Sequence, residues 1–234
     1  MPIVILGEPG AGKTHLARKL AAKDDAVFLA AGTLTRGNFD RNELRRASVV
    51  IVDGLDEVAS SGEGDPLDQV LKGLSSVGHA RFVLTCRAAD WRVFANRHKL
   101  EIDYKQPPTV LRLRPLSWED ALRFLAARGV QSPETVLAYL DGQGLAEIWG
   151  NALTLQLLAE SIVGEKGLPE NVFLLLERSC YILLDERNPI HIDSQKKFSD
   201  EALLSVVGKA CFFVILCGKR GVLTLPPESG PGET

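Results

Sequence analysis

A glycine-rich octapeptide near the start of the chain decides the fold: Gly7-Glu8-Pro9-Gly10-Ala11-Gly12-Lys13-Thr14. It fills the pattern G-x-x-x-x-G-K-[ST], in which the backbone N–H groups of a turn cradle phosphates. An apolar run precedes it at 2–6, and helix-forming residues follow at 15–22. A strand, a glycine-rich turn and a helix in this order direct several N–H groups into one concavity, and the helix N-terminus adds positive potential there. The octapeptide therefore predicts a phosphate-binding loop.

The side chains and glycines of this loop have separate predicted roles. Lys13 is expected to reach the β- and γ-phosphates of a nucleotide, and the Thr14 hydroxyl is expected to ligate Mg²⁺. The glycines permit tight turns and the close approach of an anion. The residues predicted to contact nucleotide in this part of the chain are Gly7, Glu8, Pro9, Gly10, Ala11, Gly12, Lys13, Thr14 and His15.

A second apolar run carries acidic residues at its end. Residues 48–52 are continuous, apolar and β-branched after Ser48, as a strand buried on both faces requires, and Asp53 follows them. Asp53 is expected to hold Mg²⁺ through its water shell, because this ion keeps several waters and takes few carboxylates. Asp56 and Glu57 lie one turn further, where a carboxylate would polarise the water that attacks the γ-phosphate. We favour Glu57 as the base and keep Asp56 as the alternative.

A third predicted strand, 81–86, ends in Arg87. Its place after the acid-bearing strand would aim Arg87 at the γ-phosphate edge, where a guanidinium stabilises charge or reports hydrolysis. The alternative is a solvated surface charge at a strand end.

The lengths of the apolar segments and the polar residues between them predict an α/β domain followed by a helical domain. Strands are expected at about 2–6, 27–31, 49–53, 82–86 and 110–113, and helical stretches separate them, which is typical of a parallel sheet. The expected order is 5-1-4-3-2, in which the acid-bearing strand is not a neighbour of the first. Residues 1–114 are predicted to form a P-loop NTPase domain, 115–225 a helical domain that ends in the start of a winged-helix-like segment, and 226–234 a disordered tail rich in Pro and Gly.

The helices of the second domain are predicted from apolar stretches that are separated by short polar segments. Ser117 is expected to cap a helix, and further helices are expected at about 133–141, 143–149, 152–163, 169–185 and 199–217. The stretch 202–217 is shorter than the roughly 20 residues of a membrane span, and its apolar residues recur at helical spacing. It therefore predicts a buried helix and no membrane partner. Trp118, Phe124 and Trp149 are predicted core residues.

These motifs together resemble the STAND class of P-loop NTPases, most closely its NACHT-type members. The resemblance rests on the loop Gly7–Thr14, the acidic segment Asp53–Glu57 and the strand end Leu84–Arg87. Leu113–Ala121 looks like the entrance to the helical domain of this class, and Gly150–Leu153 occupies the place of its G-N-P-L segment. The chain departs from the class where Ala152 stands in place of proline.

The resemblance implies an ATP- and ADP-binding, Mg²⁺-dependent molecular switch that hydrolyses ATP slowly in signal transduction or defence. It further implies that Pro115 contacts the nucleotide, and that the partners are a second copy of the chain or a separate effector or sensor protein. Members of the class continue into a winged helix and sensor repeats, so we expect this chain to be a truncated or naturally short form, or a module that works with a separate partner. The preference for ATP over GTP is inherited from the resemblance. Two alternatives stay open: a P-loop kinase or phosphotransferase, and an interaction module that holds nucleotide without turnover.

Composition agrees with a globular domain, and the charge of the chain does not indicate a nucleic-acid partner. The 234 residues carry a net charge of −3 and are 45% hydrophobic. The basic groups around Arg45 and around Arg97 are interpreted as solvated helix faces. The four cysteines lack C-x-x-C spacing and are interpreted as reduced core residues, and the loop starts too early for a signal peptide, so a cytoplasmic location is expected.

Overall fold

The computed structural model describes residues 2–22, 25–59, 64–78, 80–164, 167–168, 171–184 and 199–218. Five strands form one sheet: β1 (Ile3–Gly7), β2 (Ala26–Ala30), β3 (Val49–Asp53), β4 (Phe82–Arg87) and β5 (Thr109–Arg112). The strand order is β2-β3-β4-β1-β5, and every pair is parallel. This order is the predicted 5-1-4-3-2 read from the other edge. The acid-bearing β3 is separated from β1 by β4, as expected.

Alternation along the strands divides the core between the two faces of the sheet, because successive side chains of a strand point to opposite faces. One face carries Ile5, Ile51 and Val83, and it packs on Ala17 of helix α1 (Lys13–Ala21). The other face carries a larger cluster that includes Val4, Leu6, Val50, Val52, Phe82 and Leu84. A sheet covered on both faces explains why its central strands have almost no polar residues.

Five helices connect the later strands. They are α2 (Ala31–Thr35), α3 (Arg41–Arg46), α4 (Leu55–Ala59), α5 (Pro66–Ser75) and α6 (Val93–Tyr104). Helix α5 begins where Asp65 accepts hydrogen bonds from the backbone N–H groups of Leu67 and Asp68, and it buries Leu67, Val70, Leu71 and Leu74 at helical spacing. The acidic residues after β3 lie in the first turn of α4.

The remaining described elements are helical. They are α7 (Trp118–Ala127), α8 (Pro133–Gly142), α9 (Ala146–Trp149), α10 (Ala152–Gly164), α11 (Val172–Leu184) and α12 (Asp200–Leu216). Ser117 caps α7 as predicted, since its hydroxyl oxygen accepts from the Asp120 N–H at 3.1 Å. The described residues divide into two compact units, one up to Ala159 and one from Glu160 onward. The domain division at 114/115 stays a prediction, and the predicted tail lies outside the described residues.

The prediction that the stretch 202–217 forms a buried helix was wrong in one respect. Helix α12 forms, but Val206, Phe212, Phe213 and Leu216 are 60 to 66% exposed. The described part of its unit offers it few partners, because it consists of α11, α12 and the end of α10. Helical spacing of apolar residues thus predicted the helix and not its burial. None of the helices in the described ranges combines the length and the apolar character that a membrane span requires.

The interpretation of all four cysteines as core residues was also wrong. Cys86 of β4 is buried, whereas Cys180, Cys211 and Cys217 are exposed on α11, α12 and the turn after α12. The prediction for Trp118 needs a similar correction, because its side chain packs edge-on against Trp149 with ring centroids 5.7 Å apart but is 37% exposed.

The difference between the cysteines has a measurable consequence. Burial raises the pKa of the Cys86 thiol to about 12, and the reactive species is the thiolate. In the folded protein at pH 8 we expect a disulfide reagent such as DTNB to modify three thiols quickly, and the fourth only after unfolding in denaturant. Four equally fast thiols in the folded state would contradict the position of Cys86 in the sheet.

Candidate functional site at the carboxyl edge of the sheet

The predicted phosphate-binding loop follows β1 and leads directly into α1. Its backbone turns through Ala11, whose N–H donates to the Glu8 carbonyl at 3.1 Å, and Gly12 precedes the first residue of α1. Gly10 has φ +76°, which side-chain-bearing residues rarely adopt, and a Cβ there would lie 2.6 Å from Oδ1 of Asn151. Glycine is therefore required at position 10 for both conformation and space.

Lys13 lies against the backbone of this loop. Its Nζ donates to the Gly7 carbonyl at 2.8 Å and to the Glu8 carbonyl at 3.0 Å. Thr14 and His15 follow it on the exposed first turn of α1. The ammonium is thus held at the base of the loop, where a fixed positive charge favours a bound anion.

The register of the sheet brings the three predicted motifs to the same edge. Gly7 of β1 pairs with Arg87 of β4, and the pairing of Val52 with Leu84 continues toward Asp53 and Thr85. The phosphate-binding loop, the acidic segment and Arg87 therefore all start at the carboxyl ends of adjacent strands. Ligands of open α/β sheets bind beyond this edge.

Asp53 is held by a residue that the sequence did not point to. The Thr85 hydroxyl donates to Oδ1 of Asp53 at 2.5 Å and accepts from the Gly54 N–H at 2.9 Å. Thr85 is completely buried, and Asp53 is 8% exposed. The only sequence signal was a polar residue inside an otherwise apolar strand. Thr85 therefore fixes both the carboxylate and the start of the acidic turn.

We expect Thr85→Val to lower the free energy of unfolding by about 1–3 kcal/mol, because it leaves a buried carboxylate oxygen and a buried N–H without their partner. Urea denaturation would measure the loss. Thr85→Ser is the matched variant, since it keeps the hydroxyl and removes one methyl group, for about 1 kcal/mol. A Val variant as stable as the parent would show that the hydroxyl contributes nothing.

Asp56 and Arg87 form an ion pair beside this turn. The Arg87 backbone N–H donates to Oδ1 of Asp56 at 3.1 Å, and Nε lies 2.7 Å from Oδ2. The Asp56 side chain is 8% exposed, whereas that of Arg87 is 51% exposed. Both oxygens of Asp56 are thus engaged by one residue, and the exposed face of the guanidinium remains at the sheet edge.

Glu57 is the exposed carboxylate of the acidic segment. Its carboxyl group lies so close to Gly54 that a Cβ at that position would be 2.9 Å from Cδ. Partial burial raises the pKa of Glu57, the neighbouring Asp56 and Asp53 raise it further, and Arg87 lowers it. A carboxylate with a raised pKa beside two other acids has the properties of a general base.

The donor set at this edge fits a magnesium ion that is bound mostly by other ligands. The described residues contain no group of three or more His, Cys, Asp or Glu side chains placed to hold a metal. Asp53 and Thr14 would supply one carboxylate and one hydroxyl, and Mg²⁺ takes its remaining ligands from water and nucleotide phosphates. No protein cage is needed for this ion.

The helical segment after the sheet reaches the loop as well. The Leu116 N–H donates to the Gly150 carbonyl at 2.8 Å, and Nδ2 of Asn151 donates to the Pro9 carbonyl at 2.8 Å. Pro115, the predicted nucleotide contact of this region, is exposed in the loop between β5 and α7. A cavity of about 260 Å³ lies beside Asp56 and is lined in part by Cys86, Asp90, Arg92 and Asn96.

Comparison with known proteins gives structural neighbours only. No protein-family model matches the chain, and no curated protein does. Among solved structures, the ORC2 protein of Aeropyrum pernix is 15% identical, with 79% of this chain and 64% of that chain covered at a TM-score of 0.50. The Walker-type ATPase of Pyrococcus abyssi is 12% identical, with 78% and 67% covered at 0.47.

The AMPPCP-bound DnaA of Aquifex aeolicus is 12% identical, with 92% of this chain and 88% of that chain covered at a TM-score of 0.41. Likeness to the ORC2 protein, at 15% identity and a TM-score of 0.50, shows a shared fold and does not transfer an activity. With the strand order β2-β3-β4-β1-β5 and the loop after β1, the chain has the fold of the P-loop NTPases.

Proposed function

We propose that the chain binds ATP and ADP with Mg²⁺ at the carboxyl edge of its sheet and hydrolyses ATP slowly. The observation that carries the proposal is the convergence of the phosphate-binding loop, Asp53 held by Thr85, and Glu57 at one edge. The loop supplies N–H groups and the Lys13 ammonium to the phosphates. Thr14 and Asp53 would hold Mg²⁺, which neutralises charge on the transferred phosphoryl group.

The contacts of the acidic segment support different roles for Asp56 and Glu57 in this proposal. Both oxygens of Asp56 are engaged by Arg87, so Asp56 positions that guanidinium near the γ-phosphate edge. Glu57, whose side chain is exposed and whose pKa is raised, would take the proton of the attacking water. This arrangement supports our sequence-based preference for Glu57.

The role that fits slow turnover is a nucleotide-dependent molecular switch of the NACHT or STAND type, acting in signal transduction or defence. Its support is the motif resemblance together with the hydrogen bonds between the start of α10 and the phosphate-binding loop, which connect the helical segment to the loop that would bind the nucleotide. The corresponding partners are a second copy of the chain or a separate effector or sensor protein. Differential contacts of this kind are required of any ligand that shifts a conformational equilibrium.

A phosphotransferase is the second candidate, and the cavity beside Asp56 favours it, because an acceptor bound there would lie next to the acidic segment. Release of phosphate from ATP at steady state, with and without small hydroxyl-bearing or amine-bearing acceptors, separates the two functions. A switch gives slow release that acceptors do not change. A phosphotransferase consumes ATP faster with the right acceptor and gives a phosphorylated product. Absence of both nucleotide binding and turnover would overturn the proposal.

A further inference from the structure

Four consecutive carbonyl groups of the phosphate-binding loop have hydrogen-bond donors. Lys13 Nζ donates to the carbonyls of Gly7 and Glu8, as described above. The Pro9 carbonyl accepts from Nδ2 of Asn151 at 2.8 Å, and the Gly10 carbonyl accepts from the Leu153 N–H at 3.0 Å. Two of these donors belong to the start of α10, more than 140 residues along the chain.

A carbonyl group that is fixed by a hydrogen bond also fixes the direction of the N–H group in the same peptide unit. A peptide unit is planar and trans, so its C=O and N–H point in opposite directions. Asn151 holds the Pro9 carbonyl toward α10 and so directs the Gly10 N–H away from that helix. Leu153 does the same for the next peptide unit, whose Ala11 N–H closes the turn onto Glu8. The backbone of the loop is thereby fixed in a conformation whose donor groups are preset.

Asn151 is well suited to this task because its amide works in both directions. While Nδ2 donates to the Pro9 carbonyl, Oδ1 accepts from the N–H groups of Leu153 at 3.0 Å and Thr154 at 3.2 Å. The acceptor side caps the first turn of α10, and the donor side reaches the loop. A serine hydroxyl at this position would cap the helix but would not reach the loop. A carboxylate would also cap the helix, but it has no hydrogen to donate to the Pro9 carbonyl.

We infer that Asn151 is a positioning residue for nucleotide binding: it presets the phosphate-binding loop through the Pro9 carbonyl and joins that loop to α10. The inference rests on the proposed function, because it assigns the loop to nucleotide phosphate. It goes beyond the motif, because position 151 lies outside the glycine-rich octapeptide. Movement of α10 would change the loop through the same bond, and a bound phosphate would in turn hold α10 in place.

Two substitutions separate the donor role of Asn151 from its capping role. Asn151→Ser keeps a good helix cap but is too short to donate to the Pro9 carbonyl, and Asn151→Ala removes both interactions. We expect both variants to raise the Kd for Mg²⁺·ADP roughly five- to tenfold, the effect of one lost hydrogen bond. The melting temperature should fall clearly in Asn151→Ala and only slightly in Asn151→Ser. Isothermal titration calorimetry with ADP gives the first readout and a thermal melt gives the second.

The control is Asn171→Ala, which removes a comparable cap: Oδ1 of Asn171 accepts from the Leu174 N–H at 3.0 Å at the start of α11. It should lower stability and leave the Kd for ADP unchanged. An Asn151→Ser variant that binds ADP like the parent overturns the inference, as does an equal loss of affinity in Asn171→Ala.

A second measurement does not depend on nucleotide. Amide hydrogen exchange across 7–14 should rise about tenfold in Asn151→Ser when the loop loses its donor. Faster exchange without any ADP binding by the parent protein would refute the proposed function and the nucleotide role of Asn151, while its contact with the loop would stand. Unchanged exchange together with unchanged affinity would refute the inference alone.

Discussion

Lys13→Ala is expected to remove nucleotide binding while leaving the fold intact. Its Nζ is the side-chain cation of the loop, and it lies against the Gly7 and Glu8 carbonyls at the base of the loop. A bound nucleotide would receive a charge-assisted hydrogen bond of about 1.5–3 kcal/mol from the third N–H of this ammonium, and the positive charge would also attract its phosphates. Their loss should raise the Kd for Mg²⁺·ATP by roughly 100-fold or more, as titration calorimetry would measure.

The cost of Lys13→Ala to stability should be small, because its hydrogen bonds go to backbone carbonyls that water can also reach at the loop surface; we expect less than about 1 kcal/mol. Lys19→Ala is the matched control, since it removes the same charge from an exposed position of the same helix, α1. The control should bind ATP like the parent protein. Parent-like affinity in Lys13→Ala, or equal losses in both variants, would refute the assignment of the loop.

The sheet and the loop could be predicted because their determinants are local. The apolar run of β3, its acidic end and the glycine-lysine octapeptide each specify a strand or a turn within about ten residues. The strand order was expected from the extra strand between the loop-bearing and acid-bearing strands together with the resemblance to P-loop NTPases, in which those two strands are not neighbours; β4 lies between β1 and β3. Most ends of the observed strands lie one residue away from the predicted ends, and the others coincide with them.

The contacts that hold the site could not be predicted because they join residues far apart in the chain. The Thr85 hydroxyl reaches Asp53 over 32 residues, and Asn151 reaches Pro9 over 142. Neither threonine inside a strand nor asparagine before a helix signals such a partner in the sequence. Burial of α12 was overestimated for a related reason: helical spacing defines an apolar face but not what covers it.

The choice between Asp56 and Glu57 stayed open in the sequence, and the structure adds a difference in exposure between the two side chains. Adjacent acids after a strand are equivalent by spacing alone. In the structure the Asp56 side chain is 8% exposed and held at two points by Arg87, while Glu57 is exposed and has a raised pKa. A base must reach a water at the nucleotide, so the greater exposure of Glu57 supports our preference for it.

Glu57→Gln is therefore expected to suppress ATP turnover while ATP stays bound. The amide keeps the shape of the side chain but cannot accept a proton, and general-base catalysis contributes typically 10²–10⁴-fold. We expect phosphate release to fall by about 100-fold or more, with the Kd for Mg²⁺·ATP changed less than about threefold, because Lys13, Thr14 and Asp53 are unaltered. Glu43→Gln, on an exposed turn of α3, is the matched control and should turn over normally.

The pH dependence and the neighbouring acid complete this test. Because burial and the nearby Asp56 and Asp53 raise the pKa of Glu57, the base is protonated at a higher pH than an ordinary glutamate, and the acid limb of kcat should lie above the usual pKa of 4.5. Glu57→Gln should abolish that limb in its residual activity. Asp56→Asn should retain part of the turnover, since its amide oxygen still accepts from the Arg87 N–H. If Asp56→Asn is inactive and Glu57→Gln hydrolyses ATP at the parent rate, the base is Asp56, and the contact with Arg87 must open when nucleotide binds.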